Sequence, residues 1–182
     1  YTFALLMGMG GSSLAPEVFR RIFGVADGFL DLAVLDSTDP GAVLDRAGRL
    51  DLKRSLFIVS TKSGGTVETF SFLKYFYSLV AEKLGEGEAG RHFIAITDPG
   101  SALAEVAAAR RFRHIFLNNP KIGGRYSALS FFGLFPAALI GMDVKRLLDR
   151  AAAEREGEFS CGGKEETGGA FLGALLGELA KR

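Results

Sequence analysis

The chain has no tryptophan, one cysteine and two histidines in 182 residues. A single cysteine excludes an internal disulfide framework and makes a reducing compartment, the cytoplasm, the default expectation. Cysteine and histidine together are too few for a four-ligand zinc site of the Cys/His type. Neither sign of charge dominates: 22 Lys+Arg stand against 21 Asp+Glu, for a net charge of +1. That balance leaves no bulk positive charge for nucleic-acid binding and no acidic disordered tail. A long hydrophobic run is also missing. The longest apolar stretch, Phe131 to Met142, is interrupted by Gly133 and Pro136 and is too short to span a bilayer. Tyr1 to Gly8 is apolar but lacks a basic region and a small-residue cleavage site, so it reads as a strand and not as a signal peptide. Because the chain opens inside that strand, it is expected to be a piece of a longer protein. What the chain has in excess is glycine, with 24 residues, roughly twice the average usage of about 7%. The glycines cluster directly after apolar runs, where tight turns approach a ligand.

Five short apolar runs have strand length and β-branched or aromatic content: Phe3–Met7, Leu32–Leu35, Leu56–Val59, Phe93–Ile96 and His114–Leu117. None alternates strictly, so each reads as a strand buried on both faces, as in a parallel sheet. Helical patterns lie between them. The first runs from Ser13 to Phe23 with Pro16 in its first turn. The second follows the Asp39-Pro40 start signal. Thr66 to Leu84 and the Ala-rich Ser101 to Arg111 complete the alternation. Ser127–Ile140, Val144–Arg155 and Phe171–Lys181 follow, with a polar, Gly-rich loop from Gly157 to Gly169. The expected architecture is therefore α/β: a doubly wound, five-stranded parallel sheet with helices on both faces, flavodoxin-like, plus extra C-terminal helices, in one domain over residues 1–182. If the strand order is 2-1-3-4-5, strands one and three wind in opposite directions, and the crevice between them is the expected ligand site.

Four loops at that edge have unusual composition. Gly8-Met9-Gly10-Gly11-Ser12-Ser13 lets backbone N–H groups approach an anion at a helix N-terminus, with serine hydroxyls beside them. A dinucleotide fingerprint would place its third glycine at Ser13, with Asp36 as the ribose partner. A tight turn alone is the third reading. Ser60 to Thr69 holds five hydroxyls, Lys62, Gly64 and Gly65 ahead of a long helix. That composition suits a phosphate monoester. The plainer reading is a helix cap, with Thr66 capping and Glu68 facing the dipole. Capping does not account for Lys62, whose charge opposes a helix N-terminus unless an anion is present. Thr97-Asp98-Pro99-Gly100-Ser101 reads as a turn and a capping serine. Gly123-Gly124-Arg125-Tyr126-Ser127 places an arginine at a helix start, suited to an oxyanion or phosphate, or else to a structural salt bridge.

GMGGSS, STKSGGTVET and GGRYSALS, in that order, resemble the glucose-6-phosphate isomerase family and its first SIS (sugar isomerase) domain. The likeness runs from Phe3 to the last helix, in a style similar to bacterial forms fused to a transaldolase. It implies reversible interconversion of glucose 6-phosphate and fructose 6-phosphate through a cis-enediol(ate), with no metal and no organic cofactor. Gly10, Gly11 and Ser12 then match the family's first glycine loop. Thr61, Lys62, Ser63 and Thr66 match its sugar-phosphate cradle. Thr61 stands where many members have Ser, and Gly65 where many have Thr, which removes one hydroxyl. Gly124 and Arg125 match the pair near the reacting carbons, with Arg125 as the catalytic charge. The family's catalytic Glu, ring-opening His and late Lys have no counterpart here; His92 and His114 read as structural, and Glu68 is no substitute base. The implied partners are a hexose 6-phosphate and a second SIS domain of the same parent chain, with neither nucleic acid nor membrane. The 16 phenylalanines read as core, or as an apolar face favouring a homodimer. Three alternatives remain: a non-catalytic phosphosugar-sensing SIS module, the isomerase half of a glucosamine-6-phosphate synthase, and a Rossmann dehydrogenase.

Overall fold

The computed structural model describes residues 1–159 and 168–181. These fall into two compact units, 1–142 and 143–182. In the first, five parallel strands β1 (Phe3–Gly8), β2 (Asp31–Leu35), β3 (Ser55–Ser60), β4 (Phe93–Thr97) and β5 (His114–Leu117) form one sheet in the order β2-β1-β3-β4-β5. Register pairs Met7 with Leu35 on one side of β1 and Gly8 with Ser60 on the other. β1 to β4 are buried runs because both faces are covered; β5, expected to be buried in the same way, lies at the sheet edge with His114 and Leu117 exposed. Leu5, Met7, Phe57, Val59, Phe93 and Ala95 point to one side, against Phe72, Leu73 and Phe76 of α3 (Val67–Leu84) and Leu103 of α5 (Ala102–Ala109). Ala4, Leu6, Leu32, Val34, Ile58 and Ile96 point to the other, against Phe19 of α1 (Gly11–Phe23) and Phe132 of α6 (Phe131–Leu139). Period-2 side-chain direction thus feeds two cores from one sheet.

The helices differ from their sequence-based bounds in informative ways. α1 starts at Gly11 rather than Ser13, which moves Pro16 from the first turn to the second. α2 (Pro40–Gly48) begins as expected, with the Asp39 carboxylate accepting from Ala42 N–H. A short α4 (Glu86–Ala89) follows α3. α5 is capped by Ser101 and stops before Arg111, whose φ of 53° is left-handed. The stretch from Ser127 is not one helix: a 3-10 segment, Gly124–Leu129, precedes α6, and Ser130 caps the latter. In the second unit, α7 (Val144–Phe159) runs past Arg155, and α8 (Gly168–Leu179) starts before Phe171. Of the expected Gly157–Gly169 loop, both ends are therefore helical and residues 160–167 lie outside the described residues. No helix among the described residues is long and apolar enough to cross a membrane.

Candidate functional site

β1 and β3 are neighbours whose following helices leave to opposite faces of the sheet. Their C-terminal loops consequently open a crevice. A cleft of about 300 Å³ lies there. One wall is Met9, Gly11 and Ser12; the facing wall is Thr61, Lys62, Ser63 and Thr66; Gly124 closes a third side. Seven of the nine residues singled out from the sequence thus line one cavity. Gly10 and Arg125 stand beside it and are not part of the lining.

The first wall is shaped by backbone approach. Gly10 is left-handed (φ 55°) and turns the chain into α1 with no side-chain cap. A Cβ on Gly11 would fall 2.2 Å from the Gly124 carbonyl oxygen, so only glycine lets α1 and the 3-10 segment meet. The Ser127 hydroxyl donates to the Gly124 carbonyl at 2.6 Å, fixing that segment at its own start. The Ser12 hydroxyl has no hydrogen-bond partner among the described residues and stands in the wall.

The second wall is polar. Thr61 and Thr66 share a hydroxyl–hydroxyl bond of 2.8 Å. That contact withdraws Thr66 from the capping role expected of it: Thr66 precedes α3, yet its side chain accepts no bond from the first turn. The leading N–H groups of an 18-residue helix thus have no side-chain cap, and the residue before them, Thr66, lines the cleft. Ser63 Oγ accepts from Gly65 N–H at 3.3 Å. Lys62, whose charge beside a helix N-terminus requires an anion, has one within the protein. Its ammonium bonds the Asp98 carboxylate and donates to the Pro120 carbonyl at 3.1 Å. Asp98 is reached because β4 lies beside β3, and Asp98 N–H donates to the Lys62 carbonyl at 3.2 Å. The Asp98-Pro-Gly-Ser turn therefore does more than reverse the chain. The other Asp98 oxygen, Oδ1, is buried with no partner. The second wall also packs closely: a Cβ on left-handed Gly64 would meet the Ser101 Cβ at 2.3 Å.

Arg125 is exposed, and its guanidinium forms no hydrogen bond or ion pair among the described residues, so the structural salt bridge is not formed. The histidines lie elsewhere: His92 Nδ1 is 3.1 Å from the Ser55 carbonyl, and the His114 ring packs 4.4 Å from that of Phe116. Met9 lines the cleft although nothing in its residue type marks it among the glycines and serines of that loop. Asp98 was read as turn chemistry, although strand adjacency was a usable signal for its partnership with Lys62. Chemically, the cleft combines free helix-terminal N–H groups, hydroxyls and one ammonium, which suits a doubly charged oxyanion. Its lining contains no carboxylate and no imidazole.

Residues 2–178 match the phosphoglucose isomerase family. The chain is 39% identical over 160 residues to a glucose-6-phosphate isomerase of Geobacter sp. (strain M21), covering 84% of this chain and 29% of that protein. It is 34% identical over 152 residues to a glucose-6-phosphate isomerase of Thermus thermophilus, covering 84% and 36%. Among solved structures, a hypothetical protein from Thermus thermophilus superposes with a TM-score of 0.80 at 32% identity, over 85% of this chain and 37% of that one. A glucose-6-phosphate isomerase from Chlamydia trachomatis gives a TM-score of 0.68 at 26% identity, over 78% and 27%. The chain spans about a third of the length of these relatives.

Proposed function

The chain belongs to the phosphoglucose isomerase family, and on that premise we propose that it supplies the phosphate-gripping half of an active site that interconverts glucose 6-phosphate and fructose 6-phosphate. One observation carries the reading: the uncapped start of α3, the hydroxyls of Ser12, Thr61, Ser63 and Thr66, and the Lys62 ammonium share one cleft. Helix N-termini bind phosphate because their free N–H groups and dipole both favour an anion. Lys62 turns from Asp98 toward the dianion, or bridges the two.

In this reading the sugar extends from the phosphate toward Gly124 and Arg125. A base then moves a proton between C2 and C1, and negative charge develops on the oxygen of the enediolate. An unpaired guanidinium at the rim is poised to meet that charge. In the same reading the base is supplied by a second SIS domain. The 182-residue chain accordingly binds hexose phosphates and isomerises nothing.

Thermal melts test the binding. Fructose 6-phosphate and inorganic phosphate are expected to raise Tm in a concentration-dependent way, and NAD is not. Stabilisation by NAD alone would restore the dehydrogenase reading. Measurable isomerase turnover by the purified chain would refute the half-site assignment.

A further inference from the structure

Pro16 sits in the second turn of α1 and has no N–H. The helical bond that residue 16 would give to the Ser12 carbonyl cannot form, so that acceptor is orphaned inside a helix and close to the cleft. It is nevertheless satisfied. The Ser60 hydroxyl donates to the Ser12 carbonyl at 3.1 Å, in a buried contact across 48 residues of sequence. Ser60 has no exposed surface; it is the last residue of β3 and immediately precedes Thr61 and Lys62. The juncture is tight because Gly8, paired with Ser60 in the sheet, has no side chain. A Cβ there would meet the Ser60 carbonyl oxygen at 2.7 Å and the Ser12 Cβ at 3.3 Å.

We propose that Ser60 is a positioning residue that sets the spacing between the two walls of the cleft, acting through the Ser12 carbonyl that Pro16 leaves open. Three residues each contribute one feature: Pro16 withholds a donor, Gly8 withholds a side chain, and Ser60 fills the resulting gap with a hydroxyl. The first turn of α1 is thereby tied to the root of the Thr61–Thr66 loop rather than to its own helix. A ligand held by both walls depends on that tie, and the inference rests on the sugar-phosphate reading above.

A merely structural Ser60 would satisfy an acceptor; a positioning Ser60 holds two walls in register. Two variants of the 182-residue chain separate these roles. Ser60→Ala alone removes the donor. In Pro16→Ala/Ser60→Ala the backbone N–H gained with the proline's replacement can restore the helical bond to the Ser12 carbonyl, while the tie to β3 stays cut. Tm and the dissociation constants of inorganic phosphate and fructose 6-phosphate are measured for each. Ser60→Ala is expected to lower Tm and weaken binding of both ligands by about three- to tenfold, the range of one hydrogen bond. The double variant is expected to regain the lost Tm and keep the weakened binding. If binding recovers together with Tm, Ser60 only satisfies a carbonyl and the proposal is overturned. The same holds if either variant binds as tightly as the unsubstituted 182-residue chain. Failure of the unsubstituted chain to bind either ligand would sink the sugar-phosphate reading itself, and the positioning role with it.

Discussion

The two walls of the cleft are built by opposite means. The wall at the start of α1 has no charged side chain in its lining, and its shape comes from backbones brought together where glycine permits: Gly8 against Ser60, Gly11 against Gly124. The wall at the start of α3 is made of side-chain chemistry, with Thr61 bonded to Thr66 and Lys62 to Asp98. One wall supplies form and the other supplies charge. Substitutions on the first should therefore act on the fold and, through it, on binding. Those on the second should act on binding with less effect on the fold.

The largest effect is expected where the two kinds of wall meet. Arg125 follows Gly124, which closes the cleft, yet its guanidinium is exposed and unpaired among the described residues. In the two-domain isomerase proposed above, Arg125→Ala should lower kcat by about 10²- to 10³-fold, the usual loss for one oxyanion-stabilising donor. Tm should stay unchanged, because no structural contact is lost. A change confined to KM would mean that Arg125 holds ground-state substrate and belongs with the second wall.

Next comes Gly11→Ala, the steric break of the first wall. The added Cβ would sit 2.2 Å from a backbone carbonyl oxygen that no rotamer change can move. Overpacking of this kind costs about 1–3 kcal/mol. For a chain of this size that lowers Tm by roughly 2–12 °C. Phosphate binding should weaken in parallel as the walls part. An unchanged Tm would show that the Gly11–Gly124 approach is soft and that the first wall is not shaped by it.

Lys62→Ala tests the second wall. In the two-domain isomerase proposed above, the phosphate is held alike in ground and transition states, so KM should rise and kcat should hold. A hydrogen bond from a charged group contributes about 1.5–3 kcal/mol, which corresponds to a rise of about tenfold or more. The Asp98 ion pair moderates the effect, since Lys62 already has a partner before the ligand arrives. A matching loss in kcat would place Lys62 near the reacting carbons instead.

The same contrast explains what could be read from the sequence. The five strands are legible as short apolar runs, and clustered glycine and hydroxyl residues mark the loops; the exposure of β5 at the sheet edge is not legible, because Ile115 to Leu117 are as apolar as the residues of the buried strands. The partnerships across strands are not legible either. Lys62 and Asp98 are 36 residues apart, and Asp-Pro-Gly reads locally as a turn. Ser60 looked like one more hydroxyl, because its acceptor is a carbonyl exposed only by a proline in another element. α1 starts two residues before the sequence signal suggests because Gly10 enters the helix through a left-handed conformation that carries no capping side chain. Local chemistry was visible, whereas the pairing that gives it geometry required the sheet.

The smallest expected effect concerns charges on α1 outside the cleft lining. Glu17 accepts from Arg20 Nε at 2.6 Å and from Arg21 Nε at 2.5 Å. Burial opposes ionisation of its carboxyl, but the Arg20 and Arg21 contacts outweigh that and hold its pKa below the ordinary value of 4.5. A carboxylate with a lowered folded-state pKa adds stability above its unfolded value, and that contribution disappears as pH falls through the folded value. Pairs spaced three and four residues apart on a helix contribute only about 0.2–0.5 kcal/mol each. Glu17→Gln should therefore lower Tm by about 1–3 °C at pH 7. The difference should shrink below pH 4.5 and vanish once the wild-type carboxyl is protonated. Phosphate affinity should not change at pH 7, because these charges brace the helix and do not line the cleft. A loss of phosphate affinity in Glu17→Gln would show that charge reaches the first wall after all, and the division between form and charge would no longer hold.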